Sequence, residues 1–186
     1  MNFLIGRNKK KIRKDAPLIP ILFAKLRTSL SKKNYQVIKV LLDSGASASV
    51  IHADLVKSLH VTKERETVWN TAGGNVTTGS MCNIEFSLPE FSPTATVSYK
   101  VHMSTQKTMF LKYAMIMGRE LMTELGLNIC FSEMCVKWPT YHLEIPMKDS
   151  DCTPETSMYI ADTAHIQMES ERLSKIVDAK YVLVPV

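Results

Sequence analysis

Polar and apolar residues alternate through "YQVIKV" and then give way to an unbroken apolar run in "VLLD", residues 40–43. That change predicts a strand that enters a core with one face and is covered on both at its end. Before it, Pro17 and Pro20 flank "LIPILFAKL", a second strand candidate, and "LRTSLSKKN" supplies a polar turn. Residues 17–43 therefore read as a hairpin ending at Asp43. A short helix is expected from about Ala53 to Leu59. The β-branched stretch "RETVWNTAGGNVTTGSMCNIEFSLPEF" predicts a long hairpin with its tip at "AGGN". "TATVSYKVHM" alternates as a strand. "YAMIMGRELMTELGL" predicts an apolar strand, then Gly118, then a short helix stopped by Gly126. "LNICFSEMCVKW" predicts another tight hairpin. The expected organisation is a tail over 1–15, a β domain over 16–140, and a polar linker with a helical segment over 141–186.

Charge changes this picture only at one end. The chain of 186 residues carries a formal net charge of +5, with 23 Lys and Arg against 18 Asp and Glu. Six of those bases lie in "RNKKKIRK", residues 7–14, so the remainder is nearly balanced. The basic character belongs to a tail that can touch nucleic acid weakly or stay solvated, and not to the domain. No apolar run approaches the ~20 residues of a membrane span, and "MNFLIG" is too short for a signal-peptide core. A cytoplasmic protein with no membrane partner is the expectation. The four cysteines form no CxxC pair, and the Cys130-x4-Cys135 spacing without a nearby His pair is a poor zinc signal, so free thiols and no metal are expected. The five histidines show no ligand spacing. The eleven methionines fit core or interface packing better than a cofactor box.

The chemistry concentrates at "LLDSGAS". A carboxylate leaving a buried strand is costly unless partners hold it. Gly45 lets backbone amides approach Asp43, and Ser44 places a hydroxyl beside it. Two such carboxylates facing one another can share a proton, one activating a water while the other protonates a carbonyl oxygen. The chain has one such motif, and Asp162 in "IADTAH" lacks the glycine and the strand. The second carboxylate would have to come from a second copy related by a two-fold axis. Plainer readings stand beside this one. Asp-Ser-Gly is also a common turn and resembles a phosphodegron. Gly73-Gly74 can be only a hairpin turn, and Gly118-Arg119 only strand-to-helix punctuation.

Taken in order, "LLDSGA", the hairpin around Gly73-Gly74 and "IMGR" resemble the retroviral-type aspartic proteases. They are most similar to those in the Pol polyproteins of gypsy-type LTR retrotransposons. The resemblance spans residues 17–140, and "ERLSKIVDAKY" resembles the segment leading to a reverse transcriptase. It implies an all-β, retropepsin-like half-barrel with one short C-terminal helix, active as a two-fold homodimer. It implies an aspartic endopeptidase acting on a Gag-Pol polyprotein, without metal or organic cofactor, and in virus-like particles within the cytoplasm. Asp43 would be the catalytic carboxylate, Ser44 its brace across the axis, and Gly45 would turn its backbone carbonyl, an acceptor, toward the substrate main chain. Ala46 and the flap residues Thr71, Ala72, Gly73 and Gly74 would contact substrate. Gly118 and Arg119 would be structural. Many retroviral members pair that arginine with an acidic residue four positions after the catalytic Asp. Here Ser47 stands there, and Glu120 follows the arginine. An inactive protease-like dimerisation or peptide-binding module is the alternative. A nucleic-acid-binding Gag-type fragment is another, lacking the Cys-Cys-His-Cys knuckle.

Overall fold

The computed structural model describes residues 17–29, 34–71, 74–106 and 110–154. The basic tail and the segment after 154, with the expected linker helix, lie outside them. The described strands are β1 (Leu18–Ile19), β2 (Ile21–Arg27), β3 (Tyr35–Leu42), β4 (Val50–His52), β5 (Val61–Thr71), β6 (Gly74–Ser87), β7 (Val97–Ser104) and β8 (Met115–Met117). After α1 (Arg119–Leu125) come β9 (Asn128–Cys130), β10 (Cys135–Trp138), β11 (Leu143–Pro146) and β12 (Lys148–Asp149). The fold is mostly β with a short helix late in the chain, the class expected from the sequence.

The strand order is β2-β3-β8-β4-β7-β6-β5, and a further β2–β6 pairing joins Lys25 to Ser87 and Leu26 to Phe86. Six strands thus close on themselves and leave no open edge among them, while β5 hangs outside on the first half of β6. The alternation in β3 has the expected sense: Ile38, Val40 and Leu42 are buried against Leu22, Leu26, Ile84, Phe86, Val101, Met115 and Met117. Burying these side chains is the main force holding the ring together.

Topology, more than any single strand, places the site. β8 is parallel to β3, with Leu42 opposite Met117, and antiparallel to β4, with Val50 opposite Ile116. β3 and β4 follow one another in sequence but are separated in the sheet by β8. Their connection, residues 43–49, must therefore pass over the C-terminal end of β8, where Gly118 opens α1. The helix ends at Gly126, whose left-handed backbone (φ 70°) turns its N–H back to Thr123 O while Leu127 N–H reaches Met122 O at 2.8 Å. This is the Schellman arrangement that glycine permits.

Two expectations change. The helix over 53–59 is a single 3-10 turn, Ala53–Leu55, capped by His52 Nδ1 accepting from Asp54 N–H at 3.2 Å. Lys57, Ser58 and His60, which follow it, are exposed, and so short a turn has little of its own to propagate a helix. The ordered strands also continue past residue 140. β11 pairs with β10, and β12 pairs with β1 at the other end of the chain. Ile145 and Met147 are buried. Lys148 Nζ lies 2.9 Å from the buried Glu90 carboxylate and donates to Ile21 O at 2.9 Å, while Glu90 also accepts from Phe23 N–H at 2.8 Å. An ion pair at this depth is tolerated because further hydrogen bonds accompany it, and it fastens the C-terminal strand to β2. Among the described residues no helix is long and apolar enough to cross a membrane.

Candidate active site

Asp43 is the first residue beyond β3. Its N–H donates to Met117 O at 3.0 Å, which carries the β3–β8 ladder one step past the strand. The chain then turns tightly: Ala46 N–H donates to Asp43 O at 3.1 Å, and Gly45 N–H donates to the Asp43 carboxylate Oδ1 at 2.9 Å. A Cβ on residue 45 would stand 3.1 Å from that oxygen, so a side chain there would crowd the carboxylate. The other oxygen, Oδ2, has no hydrogen-bond partner among the described residues. Asp43 is half-buried, and Ser44 and Gly45 beside it are exposed. The loop thus presents one fixed carboxylate oxygen and one free one at an open face.

The rest of the loop is bound to the start of α1. Arg119 N–H donates to Ala46 O at 2.9 Å. Ser49 is 1% exposed, and its Oγ accepts from Gly118 N–H at 2.9 Å. Ser49 N–H in turn donates to Glu120 Oε1, while Glu120 Oε2 is buried with no hydrogen-bond partner among the described residues. Gly118 is needed for closeness: a Cβ there would lie 2.6 Å from the backbone C and O of Ala48 and 2.6 Å from Glu120 Oε2. The Arg119 guanidinium makes no ion pair among the described residues, and Ser47 is exposed. A carboxylate at 120 therefore supports the loop through Ser49, a link that neither residue's local sequence announces.

The β5–β6 hairpin is joined to this region through β7. Its strands pair from Val61 opposite Cys82 to Thr71 opposite Gly74, with an irregularity between Lys63 and Thr67. Ala72 and Gly73 at its tip lie outside the described residues, and of Thr71 and Gly74 only the backbone pairing is described. Trp69 Nε1–H donates to Thr78 Oγ1 at 2.8 Å, and Thr78 is 2% exposed. His102 on β7 lies 3.4 Å from the same hydroxyl and meets the Trp69 ring edge-on at 5.0 Å. Its backbone N–H reaches Ser49 O at 3.1 Å. Burial holds the His102 imidazole below its ordinary value of 6.5, with the Glu120 and Glu64 carboxylates opposing and Lys100 adding to the shift. His102 thus connects hairpin to loop. Neither it nor Thr78, Ser49 or Trp69 stood out in the sequence, because each acquires its neighbour only through sheet pairing.

Residues 31–109 match the aspartyl protease family model. That stretch is less than half of the chain; it contains Asp43–Ala46 and the hairpin and ends before Gly118. No curated protein matches the sequence. Two solved structures are similar in fold. One is the retroviral protease-like domain of Ddi1 from Leishmania major, at 12% identity and a TM-score of 0.47, covering 74% of this chain and 97% of that one. The other is EIAV protease complexed with the inhibitor HBY-793, at 19% identity and a TM-score of 0.41, covering 68% of this chain and 100% of that one.

Proposed function

We propose that the chain is one half of an aspartic endopeptidase, completed when a second copy brings its own Asp43 across a two-fold axis. The observation that carries this is the carboxylate itself. Oδ1 is held by the Gly45 amide, Oδ2 is free among the described residues, and the loop is fixed to β8 and α1. The match to the aspartyl protease model over 31–109 supports it.

Two Asp43 side chains brought together would repel if both were ionised, so one proton would be shared between them. The ionised partner takes a proton from a water lying between them. The neutral one protonates the carbonyl oxygen of the scissile peptide bond as the water adds to its carbon. Ser44, exposed beside Asp43, would hold the pair across the axis, and Gly45 and Ala46 would meet the substrate main chain. The peptide would lie extended beneath the hairpin tip, Thr71–Gly74, hydrogen-bonding as an added strand. A retrotransposon Gag-Pol polyprotein is the substrate this reading favours, with residues 7–14 giving weak contact to nucleic acid. Gly118 and Arg119 serve as structure: the first by its lack of a side chain, the second through its backbone N–H.

The test is cleavage of a mixed peptide library at about pH 5, where a shared proton is retained, by the full chain beside its Asp43→Asn twin. Cleavage by the first alone supports the proposal. No cleavage by either, at a concentration where sedimentation shows a dimer, would establish an inactive dimerisation module instead.

A further inference from the structure

Cys130 ends β9 and Cys135 begins β10, and the two are directly opposed in the antiparallel register. The turn between them, residues 131–134, holds Met134 in the left-handed region at φ 52°. Their Sγ atoms lie within 4.8 Å of each other. Opposed residues of an antiparallel pair have Cα atoms about 4.5–5.5 Å apart, inside the span a disulfide requires. Closing the bond therefore asks for side-chain rotation and not for movement of the strands.

The surroundings treat the two thiols differently. Cys130 is half-buried, with Ser132 Oγ at 3.3 Å, and its S–H donates to Glu133 Oε1 at 3.5 Å. Cys135 is buried, and burial followed by the Glu144 carboxylate raises its thiol above the ordinary value. Glu144 Oε2 lies 3.9 Å from its sulfur. Lys137 joins both carboxylates, pairing with Glu133 and, at 3.0 Å, with Glu144. A divalent cation drawn to Cys130, Glu133 and Cys135 would meet that ammonium, and it would need a thiolate where burial disfavours one.

We propose that Cys130 and Cys135 form a reversible disulfide across this hairpin, by exchange with a small-molecule disulfide of the oxidised-glutathione class. The Cys130 thiolate attacks one sulfur of that disulfide, forming a mixed disulfide and releasing one thiolate. Cys135, as it loses its proton, attacks Cys130 Sγ, closes the intramolecular bond and expels the second thiolate. Both released thiolates take up the protons the two cysteines gave, so the protein loses two electrons and two protons and the reagent gains them. The inference is independent of the chemistry at Asp43.

Arg119 and Lys137 bound a single tryptic peptide that contains both cysteines, and Glu133 lies between them. The full chain is equilibrated with graded ratios of reduced to oxidised glutathione and analysed by intact mass and peptide mapping. The expected product has lost two thiols and the mass of two hydrogens. Its 120–137 peptide, cut after Glu133, stays joined until a reductant is added. Cys135→Ser should instead accumulate a glutathione adduct at Cys130, and Cys130→Ser should leave Cys135 unmodified. The oxidised chain should unfold a few degrees higher than the reduced one. The proposal is overturned if the wild-type chain stops at the adduct, or if Cys82 or Cys152 pairs in its place. It is equally overturned if zinc ion alone, without oxidant, is held by both sulfurs.

Discussion

The loop carrying Asp43 and the β5–β6 hairpin are built on opposite plans. Residues 43–49 touch Met117, Gly118, Arg119 and Glu120 through four hydrogen bonds, and Ser49 and Gly118 among them are buried. β5 is exposed along most of its length, with Val68 58% exposed, and its described side-chain attachments to the barrel are the Trp69, Thr78 and His102 cluster and the Glu64–Lys100 ion pair at the surface. A group that must keep one geometry sits where many contacts agree. On the proposed function, a strand that would admit a peptide sits where few contacts resist its opening. If this contrast is real, equal chemical changes should have unequal reach in the two regions.

The largest effect is expected from Gly118→Ala. The new methyl would overlap the backbone of Ala48, which cannot rotate away as a side chain could. A loss of about 3 kcal/mol is expected in denaturant unfolding, together with loss of peptide cleavage, since Asp43 and β8 would be forced apart. An alanine variant as stable as the parent would mean that the loop yields easily, and the contrast would fail.

Ser49→Ala comes next. It leaves the buried Gly118 N–H without its acceptor, a change worth about 2 kcal/mol. A Ser49→Thr variant, which restores a hydroxyl, should recover part of the stability. If alanine and threonine behave alike, the hydroxyl is not what joins loop and helix.

These residues also mark the limit of what the sequence discloses. Asp43 was legible because its signal is local: an apolar strand running into Asp-Ser-Gly. The Gly126 stop was legible for the same reason. Ser49 and Glu120 were not, because they are 71 residues apart in the chain and meet only because β8 lies between β3 and β4. β11 and β12 were read as linker since short strands with alternating charges carry little periodicity. Their membership depends on Ile145, Met147 and the Glu90–Lys148 pair, all set by contacts with distant strands.

On the hairpin, Thr78→Val should matter less and stay local. Valine keeps the buried shape but removes the acceptor for Trp69 Nε1–H. Global stability should fall by no more than about 1 kcal/mol. Amide exchange should quicken through residues 61–71 while that of β3 and β8 is unchanged. Uniform acceleration across the barrel would show that hairpin and loop unfold together, which the contrast forbids.

The smallest expected effect tests a residue that touches both regions. His102 meets Thr78 and Trp69 through its ring and Ser49 through its backbone. Its pKa in the folded chain is below 6.5, first because of burial. Below 6.5 the unfolded chain therefore binds protons more readily than the folded one, so this residue makes stability decline as pH falls from 6.5 towards the folded value. Glu120, Glu64 and Lys100 are the charged groups acting on it, and the two carboxylates limit the decline. His102→Gln keeps a hydrogen-bonding side chain but cannot titrate. Thermal midpoints recorded from about pH 7.5 to about pH 5 should fall less steeply for the glutamine variant than for the parent. Hydrogen exchange at the acid end should show where the parent loosens. Loosening confined to β5 and the adjoining half of β6 means protonation acts through Thr78 and Trp69 and leaves the Asp43 loop intact. Loosening of residues 43–49 as well would place His102 in the base of the site, since its backbone bond to Ser49 would then carry the charge's effect into the loop.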